Sequence, residues 1–240
     1  MNYKILIAVT AEEEKFRLCV EKCPDKSKLV IINNWNHEGV GKFCNELYHE
    51  GAEIQWYPHN KGCGPSMNIG LKKIVDENLD YIIILSPSAL FTNSVTDLAD
   101  IVEEREKTEK NYYYLTQGTY MTDLHAFAIT RRFVDEVGYY DENFYPVYYE
   151  DTDLCYRMKL MGIQKTMVYP PRICMDLGGG IKHDKNLFNL YWQNVPHIHD
   201  YYVRKWGGEH TLETFTHPFN DPTIGINEWK LEEDKIIKIP

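Results

Sequence analysis

The sequence predicts an α/β fold built around a mainly parallel sheet. Through the first 110 residues, short runs of Ile, Leu and Val alternate with longer segments in which apolar residues recur at helical spacing. The short runs are apolar throughout, which is typical of strands that helices cover on both faces. With 240 residues, of which 43% are hydrophobic and 26% charged, the chain is large enough for one domain with a substantial core.

Four strands and four helices are predicted in alternation over this first part of the chain. The strands span residues 4–10, 28–34, 52–57 and 81–85, and the helices span residues 12–22, 40–49, 66–75 and 95–107. Strands that are joined through helices usually run parallel, so we expect these elements to form βαβ units of a single sheet.

After Asn111 the elements become shorter and more varied. We predict strands over residues 112–116, 124–130 and 166–169, helices over 131–137, 150–161 and 185–205, and a flexible loop over 176–180. Gly162 is placed to end the second of these helices, and Pro196 interrupts or kinks the third. The tail from Gly207 is rich in Pro, Gly and Asn, and we expect it to wrap the surface without a core of its own.

The composition argues against several classes of function. The formal net charge is −10 and no block of basic residues occurs, which disfavours charge-driven binding to nucleic acid or to anionic membranes. The apolar stretch at residues 5–9 is far too short for a membrane span or a secretory signal. The six cysteines form no Cys-x-x-Cys pair, so we expect reduced thiols in a cytoplasmic protein.

Polar side chains follow four of the predicted strands. They are Thr10, Asn33, Asn34, His59, Asn60, Ser86 and Ser88. In a parallel sheet, ligands bind beyond the carboxyl ends of the strands, and these residues would suit a hydroxyl-rich ligand that carries phosphate. Ordinary polar loops would place the same residue types there, so the positions alone leave both interpretations open.

An acidic cluster begins the predicted helix at residue 150. Glu150 and Asp151 fall at its N-terminus, where unpaired backbone N–H groups favour negative charge. Taken alone, the pair would be interpreted as a helix cap. Asp153 is expected to cap the helix as well, and Arg157 lies four residues beyond it, at the spacing of a modest i, i+4 ion pair.

Four motifs follow one another along the chain. They are His59-Asn-Lys-Gly-Cys-Gly-Pro-Ser-Met-Asn-Ile-Gly70, Leu85-Ser-Pro-Ser-Ala-Leu90, the run from Val137-Gly-Tyr-Tyr-Asp-Glu142 to Tyr149-Glu-Asp-Thr-Asp-Leu-Cys-Tyr-Arg157, and Tyr201-Tyr-Val-Arg-Lys-Trp-Gly-Gly208. In this order and at these spacings they resemble family 2-like inverting glycosyltransferases with the Rossmann-like GT-A fold. The second motif is similar to that of the rhamnosyltransferase-like branch. The resemblance covers roughly residues 3–208.

The resemblance implies an enzyme that moves a hexosyl or pentosyl group from a nucleotide-diphosphate sugar to an acceptor hydroxyl with inversion. The family's base, which takes the proton of the attacking hydroxyl, corresponds to Asp151, and the helix N-terminus would keep it ionised. Glu150 is assigned to holding the acceptor or the loop. The residues implied in donor binding are Thr10, Asn33, Asn60, Gly62, Asn68, Ser86 and Ser88, and those implied near the acceptor are His125 and Trp206. A core histidine and a helix-ending tryptophan are the alternatives for the last two.

The main departure from the family is Ser86-Pro-Ser88, where relatives carry Asp-x-Asp to hold Mn²⁺ or Mg²⁺ against the diphosphate. Asp176 is the best candidate to supply the missing charge, at the position where relatives often carry a metal-binding histidine, and His183 is second. Alternatively, lysine or arginine neutralises the leaving diphosphate without a metal, or the chain binds its ligand without catalysis.

The resemblance also implies the organisation of the chain and leaves the acceptor open. We expect one domain over residues 1–240, with a donor half at 1–110, an acceptor and catalytic half at 111–206, and a surface-wrapping tail at 207–240. The acceptor is expected to be a glycan. A hydroxymethylated DNA base, as in virus-encoded glycosyltransferases, is a second hypothesis that the −10 charge disfavours. A catalytically inactive nucleotide-binding or sugar-binding module is a third.

Overall fold

The structure, a computed structural model, describes residues 1–34, 37–116, 125–163, 173–178 and 185–226. The described strands are β1 (Tyr3–Val9), β2 (Leu29–Asn33), β3 (Glu53–Trp56), β4 (Tyr81–Leu85), β5 (Ala89–Phe91), β6 (Tyr113–Leu115), β7 (Ala126–Thr130) and β8 (Cys174–Asp176). The described helices are α1 (Glu13–Glu21), α2 (Glu38–His49), α3 (Cys63–Asp76), α4 (Thr96–Glu106), α5 (Arg131–Glu136), α6 (Glu150–Leu160) and α7 (Lys185–Trp206).

The main sheet has six strands in the order β3-β2-β1-β4-β7-β6. The pairs β1–β2, β2–β3 and β1–β4 are parallel, whereas β7 runs antiparallel to both β4 and β6. A second sheet consists of β5 and β8, which pair antiparallel. The predicted α/β class with a mainly parallel central sheet is therefore confirmed.

Helices cover both faces of the main sheet. In β1, Ile5 and Ile7 face the layer that contains α1, α2 and α4, while Leu6 faces the layer that contains α3, α5 and α6. All three side chains are 2% exposed or less. Because neighbouring residues of one strand point to opposite faces, a strand that is covered on both sides must be apolar at every position. This is the physical reason for the unbroken apolar runs in the sequence.

Helix α3 lies unusually close to the sheet. A Cβ atom on Gly70 would approach the Leu6 side chain to 2.5 Å and the Ile82 side chain to 3.1 Å, so only glycine allows this helix–sheet distance. The helix starts at Cys63, three residues before the predicted start at Ser66, and Gly62 precedes it with a φ of 94°. The Gly-rich motif before α3 is thus part of the helix start.

One predicted element differs from the structure. A flexible loop was expected to begin at Asp176, but Asp176 ends strand β8 and pairs with Ala89 of β5. Three-residue strands leave no periodic signal, and these two come from distant parts of the chain. The predicted strand over 166–169 lies outside the described residues.

The described part of the tail, residues 207–226, packs back onto α6 and α7. The backbone N–H groups of Thr214 and Phe215 donate to the Trp206 carbonyl, and the Tyr156 hydroxyl donates to the Phe215 carbonyl at 2.8 Å. Gly207, with a φ of 73°, allows the chain to turn back after α7. Within the described ranges, no helix has both the length and the apolar character that crossing a membrane requires.

Candidate active site

The predicted donor-side residues gather at the carboxyl ends of β1, β2 and β4. These strands are neighbours in the sheet. The chain places β2 and β3 on one side of β1 and then β4 on the other side, and a parallel sheet has a crevice at the strand ends where its strand order reverses in this way. Asn33 is the last residue of β2 and pairs with Val9 of β1, so Asn33 and Thr10 lie close together. Ser86 directly follows β4. The strand register therefore brings together residues that are far apart in the sequence.

Asn33 ends β2 with a buried amide oxygen. The side chain is 5% exposed, and its Oδ1 atom has no hydrogen-bond partner within the part of the chain that the structure describes. Buried polar atoms are usually paired, so an orphaned acceptor at a strand end is expected to receive a hydrogen bond from a ligand or from water. Asn33 is thus available for donor recognition.

Asn60 and Gly62 shape the loop that precedes α3. The Asn60 Oδ1 atom accepts hydrogen bonds from the Asn34 amide at 2.9 Å and from the Gly62 N–H at 2.8 Å. The Asn34 Oδ1 atom in turn accepts from the Lys61 N–H at 2.7 Å. The Tyr145 hydroxyl donates to the Asn60 carbonyl at 2.9 Å, which ties this loop to the segment before α6. Direct contact of Asn60 or Gly62 with a donor stays a prediction.

Asn68 has a structural role, which corrects the expectation of donor contact. Its side chain is 0% exposed and hydrogen-bonds the loop before α6. The amide donates to the Tyr140 carbonyl and to Glu142 Oε1, both at 2.9 Å, and its oxygen accepts from the Tyr140 N–H at 2.8 Å. With both faces of the amide occupied, Asn68 fixes residues 140–142 against α3.

Ser86, Ser88 and Asp176 form one hydrogen-bonded cluster. The two serine hydroxyls are 2.8 Å apart, and the Ser88 hydroxyl donates to Asp176 Oδ1 at 2.6 Å. The pairing of β5 with β8 creates this proximity, because Asp176 ends β8 opposite Ala89. The expected position of Asp176 beside the serines is thus observed, while His183 lies outside the described residues.

This cluster fits a divalent cation poorly. It contains one carboxylate and two hydroxyls that bind each other, and the described residues hold no group of three His, Cys, Asp or Glu side chains that could bind a metal. Mg²⁺ and Mn²⁺ prefer several oxygen ligands with negative charge. A lysine lies next to the cluster instead. The Lys15 ammonium donates to the Gly178 carbonyl and pairs with Glu12 at 3.0 Å, and the Gly178 N–H donates to Asp176.

The acidic pair lies at the start of α6, where this helix meets the start of α3. Glu150 is 5% exposed, the Cys63 thiol hydrogen-bonds its carboxyl group, and its Oε2 atom has no partner among the described residues. Burial and the neighbouring Asp151 charge raise the pKa of Glu150 to about 8. At neutral pH, Glu150 therefore carries a proton.

Asp151 is half-buried and accepts hydrogen bonds from the Thr152 N–H at 2.7 Å and from its hydroxyl at 3.3 Å. The helix N-terminus was expected to hold this group fully ionised, but burial raises the pKa of Asp151 and outweighs the opposing hydrogen bonds from Thr152. Burial therefore disfavours the charged form of both acids.

The backbone that leads into α6 is strained. Tyr148 and Tyr149 have φ values of 74° and 68°, which non-glycine residues rarely adopt and which cost on the order of 1–3 kcal/mol each. The Cys63 N–H donates to the Pro146 carbonyl at 2.8 Å, so the start of α3 supports this turn. Strained residues of this kind concentrate at functional sites, where the surrounding packing holds them in place.

A buried ionic network holds α6 in position. Asp153 makes no cap, contrary to expectation; its Oδ2 atom pairs with Arg157 at 2.9 Å, and its Oδ1 atom accepts from Lys205 at 2.5 Å and from the Trp206 indole at 2.8 Å. The expected i, i+4 ion pair of Arg157 is thus present, and Arg157 is 0% exposed, so the pair lies in the core. Trp206 is also 0% exposed, which removes it from the acceptor side.

The same network reaches the loop before α6. Lys205 also pairs with Asp141 at 2.8 Å, and the Tyr201 hydroxyl donates to the same Asp141 oxygen at 2.7 Å. The guanidinium of Arg157 donates to the carbonyls of Val137 and Tyr139. Two carboxylates and two cations thus balance one another inside the protein, as buried charges must. The acidic motif and the Lys-Trp-Gly motif occur together because they form one structural unit.

His125 lies beside Ser86. It is 7% exposed and precedes β7, and its carbonyl accepts a hydrogen bond from the Ser86 N–H at 2.7 Å. Its position beside Ser86 follows from the antiparallel pairing of β4 with β7. A contact with the acceptor stays a prediction.

Solved structures of glycosyltransferases share this architecture. A mannosyltransferase from Pyrobaculum calidifontis, solved with GDP-Man and Mn²⁺, matches with a TM-score of 0.52 and 13% identity, over 72% of this chain and 56% of its own. TarS from S. aureus in complex with UDP matches with a TM-score of 0.55 and 11% identity, over 88% of this chain and 74% of its own. GalNAc-T7 with UDP, GalNAc and Mn²⁺ matches with a TM-score of 0.55 and 14% identity, over 85% and 50%.

The chain therefore has the GT-A-like α/β fold of glycosyltransferases. A protein from Leishmania donovani described as a galactofuranosyl glycosyltransferase is 38% identical to it over 152 residues. This match covers 52% of the chain and 35% of the relative, so the chain spans about a third of that protein's length. No protein-family model matches the sequence.

Proposed function

We propose that the protein is an inverting glycosyltransferase that uses a nucleotide-diphosphate sugar and in which Asp151 is the general base. The observation that carries this proposal is the acidic pair at the start of α6, where Glu150 is buried and the Thr152 N–H and hydroxyl hydrogen-bond the Asp151 carboxylate. The loop of Asn60 and Gly62 contacts the segment before this pair through Tyr145, so the pair and the donor-side residues belong to one site.

In the proposed reaction, the acceptor hydroxyl attacks the anomeric carbon of the donor sugar while its proton moves to Asp151. A bond forms between the acceptor oxygen and the anomeric carbon, and the bond from that carbon to the diphosphate breaks, so the nucleoside diphosphate leaves from the opposite face. Inversion follows from this in-line geometry. Glu150, being neutral, would hold the acceptor or the loop without competing for the same proton.

The donor is proposed to be a nucleoside-diphosphate hexose or pentose held at the carboxyl ends of β1, β2 and β4. The orphaned Asn33 Oδ1 atom would accept a hydrogen bond from the nucleobase or ribose, with Thr10 beside it. The similar proteins suggest which donors to test first. One is described as a galactofuranosyl glycosyltransferase, and two similar structures were solved with GDP-Man and with UDP. A glycan is the acceptor favoured here.

We infer reduced dependence on a divalent cation, because the Ser86, Ser88 and Asp176 cluster offers one carboxylate. The two hydroxyls would hydrogen-bond phosphate oxygens, and Lys15 would supply positive charge to the leaving diphosphate. The division into a donor half at residues 1–110, an acceptor half at 111–206 and a tail at 207–240, all within one domain, belongs to the same proposal.

Replacement of Asp151 by Asn tests the proposed base. This variant keeps the shape of the side chain and removes its basicity, so kcat should fall by about 10²–10⁴-fold, while the dissociation constant for the nucleotide sugar stays within about twofold. The measurements are transfer to acceptor and thermal-shift titration with UDP-sugars and GDP-sugars.

Asp100→Asn is the matched control, because Asp100 is exposed on α4 and should leave both quantities unchanged. Turnover by Asp151→Asn near the wild-type rate would refute the assignment. Donor binding without transfer to any acceptor by the unmodified protein would instead identify a binding module.

A further inference from the structure

Exposed aromatic rings form a continuous surface beside the acidic pair. Tyr148, Phe188 and Trp192 are 46%, 39% and 56% exposed, and Tyr191 is half-buried among them. The Tyr148 ring packs against Tyr191 with centroids 4.8 Å apart, Tyr191 contacts Trp192 at 5.3 Å, and Trp192 contacts Phe188 at 5.8 Å. We call these four residues the aromatic platform.

The platform is directly connected to the proposed catalytic residues. Tyr148 lies two residues before Glu150, within the strained turn that starts α6, and the other three rings belong to the first part of α7. The turn and the helix therefore present their rings on one surface. Burial and neighbouring charges, those of Glu150 and Asp151 among them, raise the pKa of Tyr148, so this ring lies near the acidic pair. A molecule that lies on the platform would have its near end at the acidic pair.

The residues of α7 that lie between the rings are uncharged. Asn189 and Gln193 are exposed on α7 and follow Phe188 and Trp192 by one position each, so a row of amides runs beside the row of rings. The sequence of α7 from residue 186 to 196 contains no charged residue. Aromatic faces pack against the C–H faces of sugar rings, and amides donate to and accept from hydroxyl groups.

Other occupants would need a different surface. Binding of nucleic acid or of an anionic membrane depends on lysine and arginine, which this part of α7 lacks. A protein partner would be expected to cover a larger apolar area than four rings flanked by amides. Neutral carbohydrate is the class of ligand that requires aromatic faces and uncharged hydrogen-bonding groups together.

We propose that the aromatic platform binds a neutral oligosaccharide acceptor whose terminal hydroxyl reaches Asp151. This proposal rests on the proposed function for the identity of the bound sugar as acceptor, whereas the binding itself does not depend on transfer. Trp192 and Tyr191 carry the inner sugar units, and Tyr148 supports the unit next to the acidic pair.

The test is binding of oligosaccharides observed at the tryptophan indole N–H groups by NMR. The probes are neutral hexasaccharides of mannose, glucose, galactopyranose and galactofuranose, an anionic ribitol-phosphate oligomer, and phosphatidylglycerol vesicles. The Trp192 signal is assigned with Trp192→Phe, and the buried Trp206 serves as an internal reference. At least one neutral hexasaccharide should shift the Trp192 signal and leave the Trp206 signal unchanged.

Trp192→Ala and Tyr191→Ala should each weaken that binding by about threefold to tenfold, as expected for the loss of one ring contact. Tyr48→Ala is the control, since Tyr48 is 60% exposed on α2. The proposal is overturned if no neutral hexasaccharide binds at concentrations on the order of 10 mM. It is equally overturned if the anionic probes are preferred, or if the two α7 variants bind like the unmodified protein.

The two sets of variants distinguish failure of the proposed catalytic function from failure of the proposed oligosaccharide binding. If Asp151→Asn retains transfer while Trp192→Ala loses oligosaccharide binding, the catalytic assignment is wrong and the platform stands. If Asp151→Asn abolishes transfer while Trp192→Ala leaves the acceptor KM unchanged, the platform is wrong and the catalytic assignment stands.

Discussion

At the residue scale, the acidic pair is governed by burial. The helix N-terminus favours ionised carboxylates at Glu150 and Asp151, yet the pKa of each is raised because the low-dielectric surroundings penalise two adjacent charges. Glu150 is nearly inaccessible, and its Oε2 atom has no partner among the described residues. Burial thus opposes the effect of the helix N-terminus at both acids.

The raised pKa of Glu150 predicts how stability depends on pH. Between the ordinary glutamate pKa of 4.5 and about 8, the unfolded chain has released this proton and the folded protein still holds it. The free energy of unfolding should therefore fall with rising pH, by up to about 1.4 kcal/mol per unit across this window. Urea unfolding at pH 5, 6, 7 and 8 measures the slope.

Glu150→Gln should flatten this slope, because glutamine resembles the protonated acid and does not titrate. The variant should match the unmodified protein at pH 5 and exceed it in stability at pH 8. Glu14→Gln, on the exposed side of α1, should leave the slope unchanged. Equal slopes for the Glu150→Gln variant and the unmodified protein would contradict the assigned protonation state.

At the scale of elements, the motifs act through packing as much as through chemistry. Gly70 lets α3 approach the sheet, and Asn68 on the same helix holds the loop at residues 140–142. The acidic helix α6 is in turn fixed through Asp153 to Lys205 and Trp206 of α7. Several motif residues therefore position the elements that carry the candidate site.

Replacement by alanine should have opposite effects on stability at two glycines that lie inside helices. In Gly70→Ala the new methyl group would clash with Leu6 and Ile82 in the core, and the protein should lose about 1–3 kcal/mol of stability. In Gly41→Ala the new Cβ atom meets nothing closer than 3.9 Å, so the better helix propensity of alanine should add about 0.5–1 kcal/mol. Thermal and urea unfolding report both changes.

Each of the two glycine variants is the control for the other, because both replace glycine by alanine within a helix. If Gly70→Ala were as stable as the unmodified protein, the close approach of α3 to the sheet would be wrong.

At the scale of the whole molecule, the donor side is assembled from distant segments. Ser86 and Ser88 follow β4, Asp176 comes from β8, and Lys15 comes from α1. The cluster contains both signs of charge, so its field differs from that of an acidic metal site. In the proposed function this is the part of the site that would hold the diphosphate, and we call it the altered diphosphate region.

The altered diphosphate region predicts that chelation has little effect on transfer. Activity in EDTA should stay within about threefold of that with Mn²⁺, whereas Lys15→Met should lower kcat by about a hundredfold, because a positive group that faces the leaving diphosphate is lost. Steady-state transfer kinetics with and without EDTA measure both effects. The control is Lys72→Met, since Lys72 is exposed on α3.

Loss of activity in EDTA and its recovery with Mn²⁺ would contradict this prediction. The ligand set would then have to be completed by groups beyond the described cluster, with His183 as the first candidate.

The sequence by itself determined the α/β class, the order of the main strands and helices, and the position of Glu150 and Asp151 at a helix start. These features are local: an unbroken apolar run, a 3.6-residue period or a glycine acts on the chain within a few residues of its own position. The strands of the parallel part were predicted to within a residue or two for the same reason, as with Tyr81–Leu85.

Only the tertiary structure decided which residues meet and which are buried. The contact of Asp176 with Ser88, the buried network around Lys205, and the core positions of Asn68 and Trp206 all join parts of the chain that are far apart in sequence. The raised pKa of Glu150 also depends on tertiary structure, since α3 and the loop before α6 exclude water from this side chain. Burial and distance arise from packing, and packing is a property of the folded chain as a whole.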